Sequence, residues 1–362
     1  MMDFAWRISR AVAAMTAAGV DALCVSVGSD LPYLTGYRAY MSERPTMLVV
    51  DGNGTATLVI PTLEAPRVTL HDGVFSLRAW GETDDPIGIV DALLADAGRV
   101  AIGSQTWSRF MLDLQDRRPG STWVDAEDIM SSLRIIKSPD EIDRLRAAGA
   151  AVDGVADDIN AIRFSGRTEA DVAREITHRT LAAGHESVEF CIVASGPNGA
   201  SPHHTASERV ITNGDAVVVD FGGYQDGYCS DTTRTFVVGT PPPGFVEAYA
   251  VLHEAQTSAT AFVAPGRKAS EIDAHARAII EAAGYGDRFF HRLGHGIGLD
   301  VHERPYLVDG DNTIIEPGMT FSIEPGIYTP GEWGMRIEDI VVATASGVES
   351  LNTSDRSFRI VS

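Results

Sequence analysis

The sequence predicts an α+β chain of two domains, a small α/β domain followed by a larger one of long helices and antiparallel strands. Three observations carry that expectation. The chain has 362 residues, enough for two separate cores on a prior of roughly 150 residues per domain. Over the first third, helix-period segments alternate with short apolar runs. From about residue 134 the texture changes to longer helical segments separated by strands that carry acids.

Residues 4–18 keep a helical pattern that Gly19 ends. DALCVSV at 21–27 is a short apolar strand. Two strands, 46–50 and 56–61, flank Asp51-Gly52-Asn53-Gly54, a hairpin turn signal. A helix near 86–97, a strand at 99–103, a helix near 107–116 and a strand at TWVDA complete the first domain. The boundary is placed near residue 130, giving domains 1–130 and 131–362. Beyond it Ser138 can cap a helix, Pro139 suits the first helical position, and Glu141 completes a capping box. Helices are expected near 139–163, 168–183, 243–263 and 269–284, with strands near 188–194, 216–221, 228–238, 319–323 and 335–343.

Charge and cysteine usage exclude several function classes. Against 29 basic residues stand 50 acidic ones, a formal net charge of −21. Such a surface repels phosphate backbones, so nucleic acid is not an expected partner. Cys24, Cys191 and Cys229 are odd in number, far apart and without a CxxC pair. That argues against a disulfide framework and thiolate zinc, and it fits a reducing cytoplasm. The N-terminus carries Asp3, Arg7 and Arg10 with no apolar stretch, so no signal peptide is expected. No run nears the roughly 18 apolar residues of a membrane span, so no membrane association is expected.

The chemistry concentrates in the second domain. In AVVVDFGGYQDGYCSDTTRTFVV, a buried strand ends in Asp220, Gly222 and Gly223 break it, and a second strand carries Asp231. Antiparallel pairing brings the two carboxylates onto adjacent strands. An acid at a strand end is ordinarily a turn residue, but an acid leading into TTRTFVV is costly if buried alone. Glu324 follows TFSI and Glu338 follows MRI, each an acid set in an apolar strand. Such residues are expensive unless paired or metal-bound. His295 sits between Gly294 and Gly296 in a loop with three histidines, where glycine permits close approach. Four carboxylates balance two divalent cations, which need shared carboxylates when held roughly 3.5–4 Å apart. Oxygen-rich ligation with one imidazole suits Mn²⁺, Co²⁺ or Zn²⁺. Two such ions sharing a water generate a hydroxide nucleophile near neutral pH. Cys229, two residues before Asp231, shares its strand face.

At these residues the sequence resembles the pita-bread metallopeptidases: methionine aminopeptidase, aminopeptidase P and prolidase. VVVDFGG, SDTTRTF, LGHGIGLDVHE, EPGMTFSIEPGIY and RIEDIVV match the family in order and spacing. The resemblance spans nearly the whole chain and is strongest toward Xaa-Pro dipeptidases. It implies a creatinase-like α/β N-terminal domain and a pita-bread catalytic domain, a curved antiparallel sheet flanked by helices. It also implies that Asp220, Asp231, His295, Glu324 and Glu338 are metal ligands, with Asp231 and Glu338 bridging two ions. Of the candidate metals, Mn²⁺ comes first. Glu324 is implied as the proton carrier and His203 as a substrate contact. His302 is implied to stabilise the tetrahedral intermediate, and Arg336 to orient the site acids. The implied reaction is hydrolysis of Xaa-Pro bonds in dipeptides or short peptides by a metal-bridging hydroxide, in a cytoplasmic homodimer.

One position departs from the pattern. Some prolidases place an Arg after the Pro of VHExP to bind the dipeptide carboxylate, and here Tyr306 follows Pro305. Either Arg304 serves instead or the dipeptide requirement is relaxed, which makes an Xaa-Pro aminopeptidase the first alternative. Metal-dependent hydrolysis or lysis of a small metabolite on the same fold is another. A metal-free creatinase-like hydrolase and a silent binding module are disfavoured by the complete ligand set.

Overall fold

A computed structural model describes residues 3–362. The chain divides into two compact units, one ending at Arg134 and one beginning at Ile135.

The first unit opens with α1, Phe4–Ala18, whose cap Asp3 accepts the N–H of Trp6 and whose end is Gly19 at φ 63°. Next come β1 (Ala22–Val25), α2 (Asp30–Thr35), β2 (Met47–Asp51), β3 (Ala56–Pro61) and β4 (Ser76–Trp80). Then follow α3 (Pro86–Leu93), β5 (Arg99–Ile102), α4 (Ser108–Arg117), β6 (Thr122–Asp125) and α5 (Glu127–Arg134). The sheet order is β4-β3-β2-β1-β5-β6. The β2–β3 hairpin forms where the turn signal lies, and the Asp51 carboxylate accepts the N–H groups of Asn53 and Thr55. Val49, Val59, Val100 and Ile102 on the sheet pack with Ile87, Val90, Phe110 and Leu114 of α3 and α4.

The second unit begins with α6 (Pro139–Asp158), α7 (Glu169–Ala182), β7 (Ser187–Ser195), β8 (Ala216–Gln225) and β9 (Tyr228–Val238). It continues with α8 (Phe245–Phe262), α9 (Ala269–Ala282), β10 (Gly294–Gly296), β11 (Glu303–Leu307) and β12 (Thr320–Ile323). The chain closes with β13 (Gly326–Thr329), β14 (Trp333–Arg336), β15 (Asp339–Thr344), β16 (Gly347–Ser350) and β17 (Arg359–Val361). The capping box at Ser138 and Glu141 is present. One sheet runs β17-β9-β8-β7, a second β11-β10-β12-β15-β16, and β13 pairs with β14 alone.

Side-chain alternation decides which residues can reach a site. On β8, Val217, Val219 and Phe221 pack against Val152 and Ala156 of α6 and Val172 and Ile176 of α7. On β12, Phe321 and Ile323 pack with Leu252 and Ala255 of α8 and Ile272 of α9. A strand's period of two therefore turns Asp220 and Ser322 away from these helical layers.

Several expectations are corrected. Gly222 and Gly223 do not break the strand, because β8 continues to Gln225 and turns at Asp226-Gly227. These glycines serve close packing: a Cβ on Gly222 would lie 2.1 Å from the Ser230 carbonyl oxygen, and on Gly223 2.0 Å from that of Ser187. Asp220 consequently sits inside the strand rather than at its end. The run 335–343 is not one strand either. β14 ends at Arg336 and β15 starts at Asp339. Between them Glu338 donates its N–H to the Thr233 carbonyl at 3.2 Å, an isolated bridge to β9. Several helices are shorter than expected, since α3 stops at Leu93, α6 passes into a 3-10 turn at Ile159, and α8 starts only after the prolines. The partly exposed edge strand β4 and the six-residue α2 were not anticipated. Among the described residues no helix is long and apolar enough to cross a membrane.

Candidate active site

The β8–β9 hairpin sets the first two acids. Asp220 pairs with Thr233 and Gly222 with Asp231. Asp220 and Asp231 are thus diagonal neighbours on one face, within reach of a shared partner. Thr233, two residues along β9, donates its hydroxyl to Glu338 Oε2 at 2.7 Å. That bond and the backbone bridge fix Glu338 beside the hairpin.

β10 and β12 bring the other two groups. The N–H of His295 donates to Ser322 Oγ at 3.0 Å, and that hydroxyl donates to Glu324 Oε1 at 2.9 Å. His295 Nδ1 lies 3.1 Å from the carbonyl of Gly296. A hydrogen on Nδ1 is satisfied there, so Nε2 is the ring nitrogen that faces the acids. Nε2 is 3.2 Å from Glu324 Oε1 and 3.7 Å from Asp231 Oδ2. Ligand atoms from Asp231, His295 and Glu338 fall within 4.8 Å of one another.

All five residues line one cavity of about 580 Å³. Asp231, His295 and Glu338 are no more than 4% exposed. Asp220 Oδ1, Asp231 Oδ1 and Glu338 Oε1 are buried and have no hydrogen-bond partner. An orphaned buried carboxylate oxygen is costly and demands a counter-charge. Burial pushes Asp231 well above the usual carboxylate range, and the neighbouring Glu338 and Asp220 push it further. Glu338 is raised in the same way, by burial and by the charges of Glu324 and Asp220. Asp220 is also raised by burial, with Arg336 opposing. For Glu324 burial is outweighed by the hydrogen bond and charge of His295, and its carboxyl falls to about 2. Unpartnered oxygens converging with one imidazole nitrogen suit divalent cations, so the residues present fit the metal that the motifs imply.

Arg336 ties the acids together. Its guanidinium donates to Asp220 Oδ2 at 2.6 Å, to Thr233 Oγ1 at 3.1 Å and to the Tyr328 hydroxyl oxygen at 2.9 Å. His203 and His302 lie on the cavity wall. The His302 and His295 rings are 4.0 Å apart, and burial lowers His302 to about 4, helped by the positive charges of His295 and Arg292. His302 is therefore neutral at pH 7.

Some sequence candidates are not on the wall. Arg304 is exposed and does not line the cavity. Tyr306 stands opposite His295 in the β10–β11 register, with the Arg292 guanidinium 4.5 Å from its ring centre, yet it does not line the cavity either. Cys229 is buried outside the wall, and burial carries its thiol well above the ordinary range. Conversely, the wall includes His204 and the apolar Phe190, Ile192, Ala206 and Val301, none of which was singled out from sequence. The doublet His203-His204 was the available signal for the first of these. Nothing local marks the apolar four.

Residues 143–345 match the model of metallopeptidase family M24, and residues 7–136 match the creatinase/prolidase N-terminal domain. A probable dipeptidase PepE of Mycobacterium tuberculosis is 44% identical over 363 residues, covering 99% of this chain and 96% of that protein. An Xaa-Pro dipeptidase of Lactobacillus helveticus is 36% identical, covering 94% and 95% respectively. The crystal structure of a prolidase from Thermococcus sibiricus superposes with a TM-score of 0.95 at 35% identity, covering 100% of each chain. With buried acids that call for divalent cations and a family match over most of its length, the chain belongs to metallopeptidase family M24 and carries the creatinase-type N-terminal domain ahead of a pita-bread domain.

Proposed function

We propose that the chain hydrolyses Xaa-Pro bonds in dipeptides and short peptides, using two divalent cations held by residues of the segment 131–362. The observation that carries this reading is the set of orphaned, buried carboxylate oxygens on Asp220, Asp231 and Glu338. With His295 and Glu324 they form the proposed metal set. Asp231 and Glu338, both raised well above the usual carboxylate range by burial and by neighbouring carboxylates, would be shared by the two cations. When bound there, divalent cations would supply the Lewis acidity that activates a water near neutral pH. Mn²⁺ is the first candidate, with Co²⁺ or Zn²⁺ next.

The chain's own residues do the rest. Glu324, ionised and fixed by Ser322, takes a proton from the attacking water and passes it to the leaving prolyl nitrogen. His302, a neutral imidazole, donates a hydrogen bond to the oxyanion that develops on the carbonyl oxygen. His203 contacts the substrate from the wall. Arg336 orients Asp220 and opposes the rise that burial imposes on its carboxyl. Phe190, Ile192, Ala206 and Val301 give an apolar surface for a proline ring. An Xaa-Pro bond lacks an N–H, and this site requires none.

One observation favours a second reading, an Xaa-Pro aminopeptidase. Among the described wall residues Arg336 is the only guanidinium, and it is committed to Asp220. A dipeptide's terminal carboxylate therefore has no dedicated cation there. The two readings separate in one experiment, hydrolysis of Ala-Pro against Ala-Pro-Ala with metal content measured alongside. Ala-Pro cleavage with little action on the tripeptide supports a dipeptidase. Cleavage of both supports the aminopeptidase, and cleavage of neither by metal-loaded enzyme overturns the proposal.

A further inference from the structure

The segment 195–207 holds only a short 3-10 turn, Gly196–Ala200, yet it carries His203, His204, Thr205 and Ala206 into the cavity wall. Such a loop needs an anchor to present side chains in one place. The anchor is a single buried side chain. Glu169, the first residue of α7, is 0% exposed and does not itself line the cavity. Its Oε1 accepts the N–H and the hydroxyl of Ser195, both at 2.7 Å, and the Asn198 amide at 3.1 Å. Its Oε2 accepts the Ser207 hydroxyl at 2.6 Å, the Ser207 N–H at 3.1 Å and His204 Nε2 at 2.8 Å. The start of α7 adds to this grip, with the N–H groups of Glu169 and Ala170 donating to the carbonyls of Arg209 and Ser207.

We propose that Glu169 is a positioning residue of the active site, fixing the 195–207 loop and through it His203 and His204 on the substrate side of the cavity. The chemistry of the hub explains why a carboxylate stands there. Each oxygen takes one backbone N–H, from Ser195 on one side and Ser207 on the other. Hydroxyls rotate and imidazoles change tautomer, but backbone N–H groups remain donors. A glutamine in the same place has one acceptor and one NH₂ group, so either orientation sets a donor against a donor. An aspartate is one methylene shorter and does not span both ends. Burial alone would raise the Glu169 carboxyl, but the donors from Ser207, Ser195 and His204 bring it to about 2. The hub is thus ionised at neutral pH.

The proposal's kinetic arm rests on the peptidase reading, and its exchange arm does not. The experiment compares wild type with Glu169→Gln and Ser207→Ala by amide hydrogen exchange, metal content per chain, and KM and kcat on Ala-Pro. In Glu169→Gln the amides of 195–207 should exchange about tenfold faster or more, as expected when a buried donor is left unmade. KM should rise about tenfold, kcat should fall by less, and metal content should match wild type. Ser207→Ala removes one side-chain donor and keeps both backbone bonds, so it should shift exchange and KM the same way by a smaller factor. A purely structural glutamate would lower the folded fraction, reducing apparent kcat at constant KM, and that result overturns the proposal. Wild-type exchange in the 195–207 loop of Glu169→Gln overturns it as well. If Glu169→Gln does not fold, Ser207→Ala decides, and unchanged exchange and KM there count against the anchor. If wild type does not cleave Ala-Pro, the peptidase reading fails while the exchange arm still decides whether Glu169 holds the loop.

Discussion

Replacing Gly294 with alanine should disable the site without touching any proposed ligand. Gly294 precedes His295 on β10, which is paired with β11 on one side and β12 on the other. A Cβ at this position would lie 2.0 Å from the carbonyl oxygen of Ser322 and 2.8 Å from its carbonyl carbon. A non-bonded carbon needs about 3.5 Å from its neighbour, so β10 and β12 must part by roughly an ångström or more. The two nearest obstructing atoms are backbone, and no side-chain rotation relieves them. Ser322 also accepts the His295 N–H and holds Glu324, so the separation pulls on two proposed ligands together. Overpacking of this kind costs about 1–3 kcal/mol, a loss of several degrees in Tm. Misplacement by about 1 Å costs on the order of 100-fold in rate. The assay is kcat/KM on an Xaa-Pro dipeptide with metal per chain from the same preparation. Gly154→Ala is the control, since Gly154 lies in α6 with nothing within 4 Å of an added Cβ; it should leave activity alone and stabilise by up to about 1 kcal/mol. If Gly294→Ala keeps wild-type metal content and kcat/KM within about threefold, the role given to the close β10–β12 approach is wrong.

Other perturbations have equally definite outcomes. Asp231→Asn removes a charge from the acid assigned to both ions, so metal per chain should fall below wild type; two ions still bound would count against that assignment. Arg336→Met leaves Asp220 without its 2.6 Å donor and should cost roughly 3–5 kcal/mol. That loss should show in thermal unfolding of the metal-free protein, and an unchanged Tm would contradict the clamp. Acid stability should report Glu169. Its carboxyl falls from 4.5 to about 2, equivalent to roughly 3 kcal/mol. Because the folded value is the lower one, this stabilisation is complete above about 4.5 and is lost as pH falls through about 2. Wild type and Glu169→Gln should therefore converge in stability toward pH 2 and diverge toward neutrality, as urea titrations at several pH values would show.

The five proposed ligands stand out in the sequence because each breaks a local pattern: acids in apolar strands, a histidine between glycines. Their meeting in space also follows from strand alternation, which turns Asp220 away from the core formed by Val217, Val219 and Phe221. What was not legible depends on contacts between distant segments. Gly222 and Gly223 look like a strand break, and only the closeness of Ser230 and Ser187 shows that they are packing glycines. Ile337 and Glu338 look like the middle of a strand, because the bridge to Thr233 that interrupts it comes from 105 residues away. Glu169 looks like an ordinary acid in a helix's first turn, since its donors lie 26 to 38 residues further on. β10 and β11 are three and five residues long and leave too little periodicity to register. No local pattern contains the residues' catalytic roles, and Arg304 and Tyr306 lie off the wall because of how β11 pairs with β10.

The central claim is that Asp220, Asp231, His295, Glu324 and Glu338 hold two divalent ions on which peptide hydrolysis depends. The most direct measurement strips the protein with EDTA and titrates back Mn²⁺ or Co²⁺, following bound metal per chain and Ala-Pro hydrolysis in the same samples. The account predicts no activity in the stripped protein and its return as two ions bind per chain. Full activity in a sample shown to be metal-free would contradict it.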